Sequence, residues 1–373
     1  MIYLDYSANT PVDPAVLERF CQAEGAFVGN PNSRHGAGRA AAGELAKITE
    51  TVAALLGVSP AELIYTSGVS EANNLAIKGI ARAGRHMGKH MISTPLEHAS
   101  VGGCLTALQE QGYDVDLVDI DRQGRVDLDH LRALLRNDTI LVAVSAVDSE
   151  LGTVQPVAQI GEILKDYPNC RLHVDATQAV GKTALTFDGV DTLSLGSHKF
   201  YGLNGSGLLF KRRGLALEPL IHGGASSSLY RSGTPTLALA AALEMALSLT
   251  LNHQAERVKA VKEHNAALRA ALMAYPKVRI NSPEGAVPHI LNLSVEGVKG
   301  SRFQQELDAL GVCVSVKSAC SADGLPSRAV LAVSQDRKNA LSSWRVSLSH
   351  LTTREELDEF LAAFDRCYRE LTT

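Results

Sequence analysis

Arg171-Leu172-His173-Val174-Asp175-Ala176-Thr177-Gln178 opens as an apolar run and closes on an acid and an amide, and Thr192-Leu193-Ser194-Leu195-Gly196-Ser197-His198-Lys199 repeats that form with a lysine at its end. Such runs carry almost no solvent face, which suits strands buried on both sides of a parallel sheet. Polar groups at the carboxyl ends of those strands stand where open α/β sheets present ligands. Outward from this pair, β-rich apolar runs at 62–65, 90–93, 115–118, 140–147 and 207–210 alternate with helix-length stretches of 3.6-residue period. Together the seven runs predict an α/β fold, a mainly parallel seven-stranded sheet covered by helices. Asp13-Pro14 predicts an N-cap and a first-turn proline for a helix entering at Ala15.

Residues 235–274 hold almost no Gly or Pro and are rich in Ala, Leu and Glu, which predicts one or two long helices leaving the sheet domain. Beyond them, strand signals at 290–295, 312–316 and 344–348 and helix signals at 301–310 and 353–371 predict a smaller C-terminal α+β domain. The expected division is 15–245 for the large domain, and 1–14 with 246–373 for the small one. Linkers read as short throughout.

Composition narrows the function. The chain has 373 residues, 45% apolar and 20% charged, with a net charge of −4. That charge lacks the basic footprint of a nucleic-acid binder. Apolar runs are too short to span a bilayer, and Met1 leads into Ile2-Tyr3-Leu4 with no basic leader, so a soluble cytoplasmic protein without membrane contact is expected. None of the six cysteines stands in a CxxC or metal-finger spacing.

Four stretches carry candidate chemistry. Asp175 suits a carboxylate set against a protonated pyridinium nitrogen, although a lone Asp at a strand end is often a loop cap. Lys199 alone would read as a surface lysine. The preceding apolar strand, the Ser197-His198 pair and the glycines from Gly202 to Gly207 favour a lysine that binds a carbonyl cofactor covalently. Thr66-Ser67-Gly68-Val69-Ser70 predicts a strand end, a glycine turn and a hydroxyl-capped helix start, a natural phosphate seat. His98, in Glu97-His98-Ala99-Ser100, reads either as a helix cap or as an imidazole stacked on a flat ring.

In their order and spacing these residues resemble the cysteine desulfurases, within the class V aminotransferase group of fold-type I pyridoxal-phosphate enzymes. The resemblance spans nearly the whole chain. Its further signposts are Tyr3-Leu4-Asp5-Tyr6-Ser7-Ala8, Gly29-Asn30-Pro31, Glu150-Leu151-Gly152, Arg231-Ser232-Gly233-Thr234, Ser318-Ala319-Cys320 and Arg345-Val346-Ser347-Leu348. It implies a pyridoxal 5′-phosphate cofactor joined as an imine to Lys199. Asp175 would face the ring nitrogen, Gln178 the ring hydroxyl and His98 the ring face. Ser70, Ser197, His198 and Thr234 would hold phosphate, Thr234 from the other subunit of a homodimer. Ser149 would approach the ring hydroxyl and the substrate carboxylate, and Arg345 would clamp that carboxylate.

The implied reaction takes sulfur from L-cysteine. Lys199 moves the Cα proton, and Cys320 attacks the substrate sulfur, leaving alanine and a persulfide that passes to an acceptor protein such as an iron–sulfur scaffold. Cys320 lies among Ser, Ala, Asp and Gly, which is poor core material and good loop, so an exposed thiol is expected. Cys313, in an apolar run, reads as structural. Several positions depart from the family pattern: Ser149 replaces an asparagine, Ser197 stands one place late, Ala225-Ser226-Ser227 replace a Gly-Gln-Glu, and Val316-Lys317 replace a Ser-Gly. The chain also stops soon after its last helix, without the tail of housekeeping members. Other readings are a class V aminotransferase, a selenocysteine lyase, and a degenerate paralogue that binds without catalysis.

Overall fold

The ends of the first two helices are written in the local sequence. In the computed structural model, which describes residues 1–224, 228–316 and 325–373, strand β1 (Ile2–Tyr3) precedes helix α1 (Pro14–Ala26), whose first turn is closed by Asp13 accepting from the Ala15 N–H. Helix α2 (Gly36–Leu56) ends at Gly57, held at φ +69°, the left-handed conformation that glycine adopts without steric cost. The chain then alternates: β2 (Leu63–Thr66), α3 (Val69–Gly84), β3 (His90–Ser93), α4 (Ala99–Gln109), β4 (Asp114–Leu117), α5 (Leu128–Leu134), β5 (Thr139–Ser145), α6 (Val157–Leu164), β6 (Arg171–Asp175), β7 (Thr192–Gly196) and β8 (Gly207–Lys211).

These strands form the expected seven-stranded sheet in the order β2-β8-β7-β6-β5-β3-β4. Pairing is parallel from β4 through β7 and antiparallel on both sides of β8. Two successive reversals leave β2 running with β7. The carboxyl ends of β2, β3, β5, β6 and β7 and the start of β8 therefore share one edge of the sheet, and that geometry places the site. Strands β5 and β7, largely apolar in sequence, are buried along their whole length.

Helices α7 (Leu237–Asn252) and α8 (Gln254–Leu272) divide the 235–274 stretch at His253. They are followed by β9 (Val278–Ile280), β10 (Ile290–Val295), α9 (Gly300–Ala309), β11 (Val312–Cys313), α10 (Arg328–Ser334), α11 (Arg337–Ser342), β12 (Ser343–Ser347) and α12 (Arg354–Thr372). Strands β12, β10 and β9 form a three-stranded antiparallel sheet, and β1 pairs with β11 in parallel. One apolar cluster takes in α1, α2 and α7 as far as Leu247, and a separate one joins Ile2 and Leu4 to α8, β10, β12 and α12. The division expected after 245 thus falls inside α7, whose Ala246 and Leu247 pack with the large sheet.

Other departures have plain causes. The strand expected at 312–316 pairs over only two residues, because β1 is itself two residues long. Ser315 instead bridges Arg345. Strand β9 and helices α10 and α11 were not foreseen, being short and of mixed pattern. Connections are not all short: 212–236 runs without helix or strand among its described residues, tied down by the Arg231–Glu71 ion pair at 2.9 Å. Among the described residues, no helix is long and apolar enough to cross a membrane.

Trp344 centres the second cluster, fully buried and stacked on Phe303 at 5.1 Å between ring centroids, with Phe360 and Phe364 beside it. Trp344→Ala is expected to lower unfolding free energy by about 3–5 kcal/mol, the cost of a large cavity that the sheet cannot close. Chemical denaturation at equilibrium measures it, and a loss under about 1 kcal/mol would mean that the neighbours collapse into the space.

Candidate active site

A cavity of about 400 Å³ opens on the carboxyl edge of the sheet, within the range of small-molecule sites. Strand β6 delivers Asp175 into it, the turn after β6 Thr177 and Gln178, and the single 3₁₀ turn after β7 His198 and Lys199. Ser67, Gly68 and Ser70 come from the β2–α3 junction, His98 from the start of α4, Ser145 and Ser149 from the end of β5 and beyond, and Arg345 from β12.

Asp175 is 4% exposed and both of its carboxylate oxygens accept hydrogen bonds. Oδ2 accepts from Asn73 Nδ2 at 2.8 Å, and Oδ1 from the Thr177 N–H at 2.9 Å and from the Thr177 hydroxyl. Asn73 in turn accepts from Ser194 and faces His173 Nε2 at 3.0 Å. Burial pushes His173 down to about 4 although the Asp175 charge opposes this, so His173 is neutral here. Several donors converging on one buried acid fix its orientation. Asn73 has no role in the sequence reading. Nothing in local sequence says that an asparagine one turn into α3 reaches back under β6.

Lys199 Nζ donates to the carbonyls of Ser7 at 2.9 Å and Ala8 at 2.6 Å, anchoring the N-terminal segment at the cavity. Gln178 Nε2 donates to the same Ser7 carbonyl at 2.8 Å, and its Oε1 accepts from Lys182. Lys182 was not singled out from sequence. Its pKa falls to about 7, first through burial and then through the charges of Lys199 and Arg345.

Both histidines facing the cavity are shifted down, His98 by burial and then Lys199, with Asp175 opposing, and His198 to about 4 by burial and then Lys199. His98 Nδ1 accepts from the Ser100 N–H at 3.1 Å and caps α4, which leaves the proton on Nε2. The capping reading and the cavity-facing reading therefore hold together. Glu97 beside it is buried and accepts from Ser145 Oγ at 2.6 Å and its N–H at 3.0 Å. Burial dominates and lifts its carboxyl to about 7.

At the β2–α3 junction the cap is Gly68, with no side-chain capping bond, where a hydroxyl cap was expected. Gly68 sits at φ +148°, a conformation other residues rarely adopt, and a Cβ on Gly207 would lie 2.7 Å from the Gly68 Cα. Two glycines thus bring the backbone of β8 against the start of α3. The first N–H groups of the 16-residue helix face the cavity with Ser67 and Ser70 at their sides.

Two expected site residues stand elsewhere. Ser197 is buried and donates to the carbonyls of Leu203 at 2.5 Å and Ser206 at 3.2 Å, so it braces the glycine loop and does not line the cavity. The 3₁₀ turn causes this, since it sends residue 197 inward as it sends 198 and 199 to the edge. Thr234 lines a neighbouring cleft with Thr66, Ser67, Gly205 and Arg231. Cys320 and the Ala225-Ser226-Ser227 segment lie outside the described residues. Arg345 does line the cavity, and its fork is partly engaged: Nη1 donates to the Ser149 carbonyl at 2.6 Å and Nη2 to Asp5 at 3.0 Å, while Nε is buried without a partner.

The donor set fits pyridoxal 5′-phosphate. A buried, oriented carboxylate suits a pyridinium nitrogen, the uncapped α3 start suits phosphate, and a lysine at the floor suits an aldehyde. The family model described as Aminotransferase class-V matches residues 2–360. A NifS/IcsS protein homolog from Lactobacillus delbrueckii subsp. bulgaricus is 41% identical, covering 100% of this chain and 98% of that protein. A cysteine desulfurase IscS from Dictyoglomus turgidum is 36% identical, covering 100% and 95%. The solved structure of a NifS-like protein superposes with a TM-score of 0.92 at 33% identity over 100% of this chain and 99% of that one. A structure titled SspA in complex with cysteine gives 0.83 at 29% identity, covering 95% and 100%. With a model match over almost its full length and relatives this similar from end to end, the chain belongs to the class-V aminotransferase family.

Proposed function

We propose that the protein is a pyridoxal-phosphate-dependent cysteine desulfurase, converting L-cysteine to L-alanine and leaving a persulfide on Cys320. The observation that carries this reading is the pairing, across one cavity, of a buried carboxylate at 175 with a lysine at 199. The full-length likeness to proteins named cysteine desulfurase supports the choice of reaction.

When bound, the cofactor supplies an electron sink for charge developing at the substrate Cα. Asp175, oriented by Asn73 and Thr177, would face the ring nitrogen and favour its protonated form. Ser70, His198 and the α3 N–H groups would hold phosphate, Gln178 and Ser149 would border the ring hydroxyl, and His98 would cover the ring face. Lys199 would serve as the base that takes the substrate Cα proton. Arg345 receives the substrate carboxylate with its planar fork. Cys320 takes sulfur: its S–S bond forms as the substrate Cβ–S bond breaks, and Cβ is protonated to give alanine. L-cysteine and one thiol thus become alanine and one persulfide. A homodimer in which Thr234 completes the phosphate seat of the second subunit, and an acceptor protein that takes the persulfide sulfur, complete the proposal.

The direct test incubates purified protein with L-cysteine and a thiol reductant and measures alanine and sulfide. Equal amounts of both are expected, and keto-acid formation without sulfide would overturn the desulfurase reading in favour of an aminotransferase. Asp175→Asn should lower kcat by about 10²–10³, the usual range for losing one preorganised electrostatic partner. The visible cofactor band should persist in that variant while the rate falls. An unchanged kcat would remove Asp175 from the chemistry.

A further inference from the structure

A second, smaller cavity meets the large one at Ser7 and Lys199 and shares no other lining residue with it. About 20 Å³ in size, it has room for one atom-sized ligand and none for a tetrahedral oxyanion. Lys182, Lys199, Arg257, His289 and His350 line it, and the lining includes no carboxylate. Three of its lining residues also carry buried polar atoms without hydrogen-bond partners: Ser7 Oγ, Arg257 Nη1 and His289 Nδ1. Buried donors are nearly always satisfied, and a guanidinium N–H left alone in the interior is costly. Arg257 lies over the Tyr201 ring at 5.3 Å and has no carboxylate partner among the described residues.

We propose that this cavity binds a single small inorganic anion of the halide class, held by Arg257, Ser7 and His289. Guanidinium, hydroxyl and imidazole N–H are all donors, and a small anion accepts from each of them. A water would satisfy the hydrogen bonds but would leave the positive charge of Arg257 and Lys182 unbalanced in a confined space. The anion also has a route to the active site. Lys182 donates to Gln178, Gln178 donates to the Ser7 carbonyl, and Lys199 donates to that same carbonyl. A negative charge here would favour the ammonium form of Lys182 against the burial that depresses it. The inference does not rest on the cofactor reading, because the groups that call for an anion are all on this chain.

Crystals of the holoprotein grown with bromide in place of chloride provide the test. One anomalous peak per subunit is expected between Arg257, Ser7 and His289. In solution, bromide added at constant ionic strength against gluconate should raise the thermal midpoint saturably. Arg257→Met, which keeps most of the volume and deletes the charge, should remove the peak and weaken bromide binding by at least about tenfold. If that variant does not fold, Lys182→Met is expected to weaken binding in the same direction. An ordered water or a side chain in the wild-type cavity, or equal bromide binding by wild type and the folded variant, would overturn the proposal.

Discussion

Lys199→Ala is expected to lower alanine formation from L-cysteine by at least about 10²–10⁴, the range lost with a positioned general base. It should also abolish any cofactor adduct fixed by borohydride. Both effects follow from position. Lys199 leaves the 3₁₀ turn after β7 on the cavity side, opposite in role to Ser197, and its amine stands beside the Ser7 and Ala8 carbonyls. Lys199→Arg serves as a control that keeps a cation against those carbonyls, so the N-terminal segment should stay docked while covalent chemistry is lost. Mass spectrometry of the reduced holoprotein reads the site directly. An adduct on another residue, or full activity in Lys199→Ala, would sink the reading of this cavity as a lysine-bound cofactor site.

How far the site was legible depended on how local its causes are. Strands His90–Ser93 and Ile290–Val295 begin and end where their apolar runs do, because burial on both faces leaves a continuous signal. Asp175, Gln178, His198 and Lys199 line one cavity for a related reason, since the ends of such strands meet at one edge of the sheet whatever the loops do. Ser197 was misplaced because a one-residue difference in a 3₁₀ turn reverses the direction of a side chain, and neighbouring residue types do not record it. Asn73 is not legible because its partner Asp175 is 102 residues away, and Lys182 because the charges around it, Lys199 and Arg345, come from other elements. The two-residue β11 was overread as five, since an apolar run states a preference for burial and says nothing of the length of its partner.

Cys320→Ala should remove persulfide formation and reduce alanine release by at least about a thousandfold, as expected when a nucleophile acting in concert with a base is deleted. The same variant should keep the visible cofactor band and the borohydride adduct on Lys199, which separates a lost nucleophile from a lost site. The other thiols are poor substitutes. Burial lifts Cys104 and Cys367 to about 11 and Cys170 to about 12, which keeps them protonated and unreactive. Cys21 is on α1, which packs against α7, and not on the cavity wall. The described chain on either side of 317–324 is fixed next to the cavity. On one side Ser315 donates to Asp5, which also holds Arg345, and on the other Ser327 donates to Glu150, next to Ser149. Alkylation with a sulfur-reactive probe after incubation with cysteine, followed by peptide mass spectrometry, measures the persulfide and its position. If Cys320→Ala released alanine from cysteine at the wild-type rate, sulfur would leave without passing through a protein thiol, as in the lyase reading, and the persulfide proposal would fall.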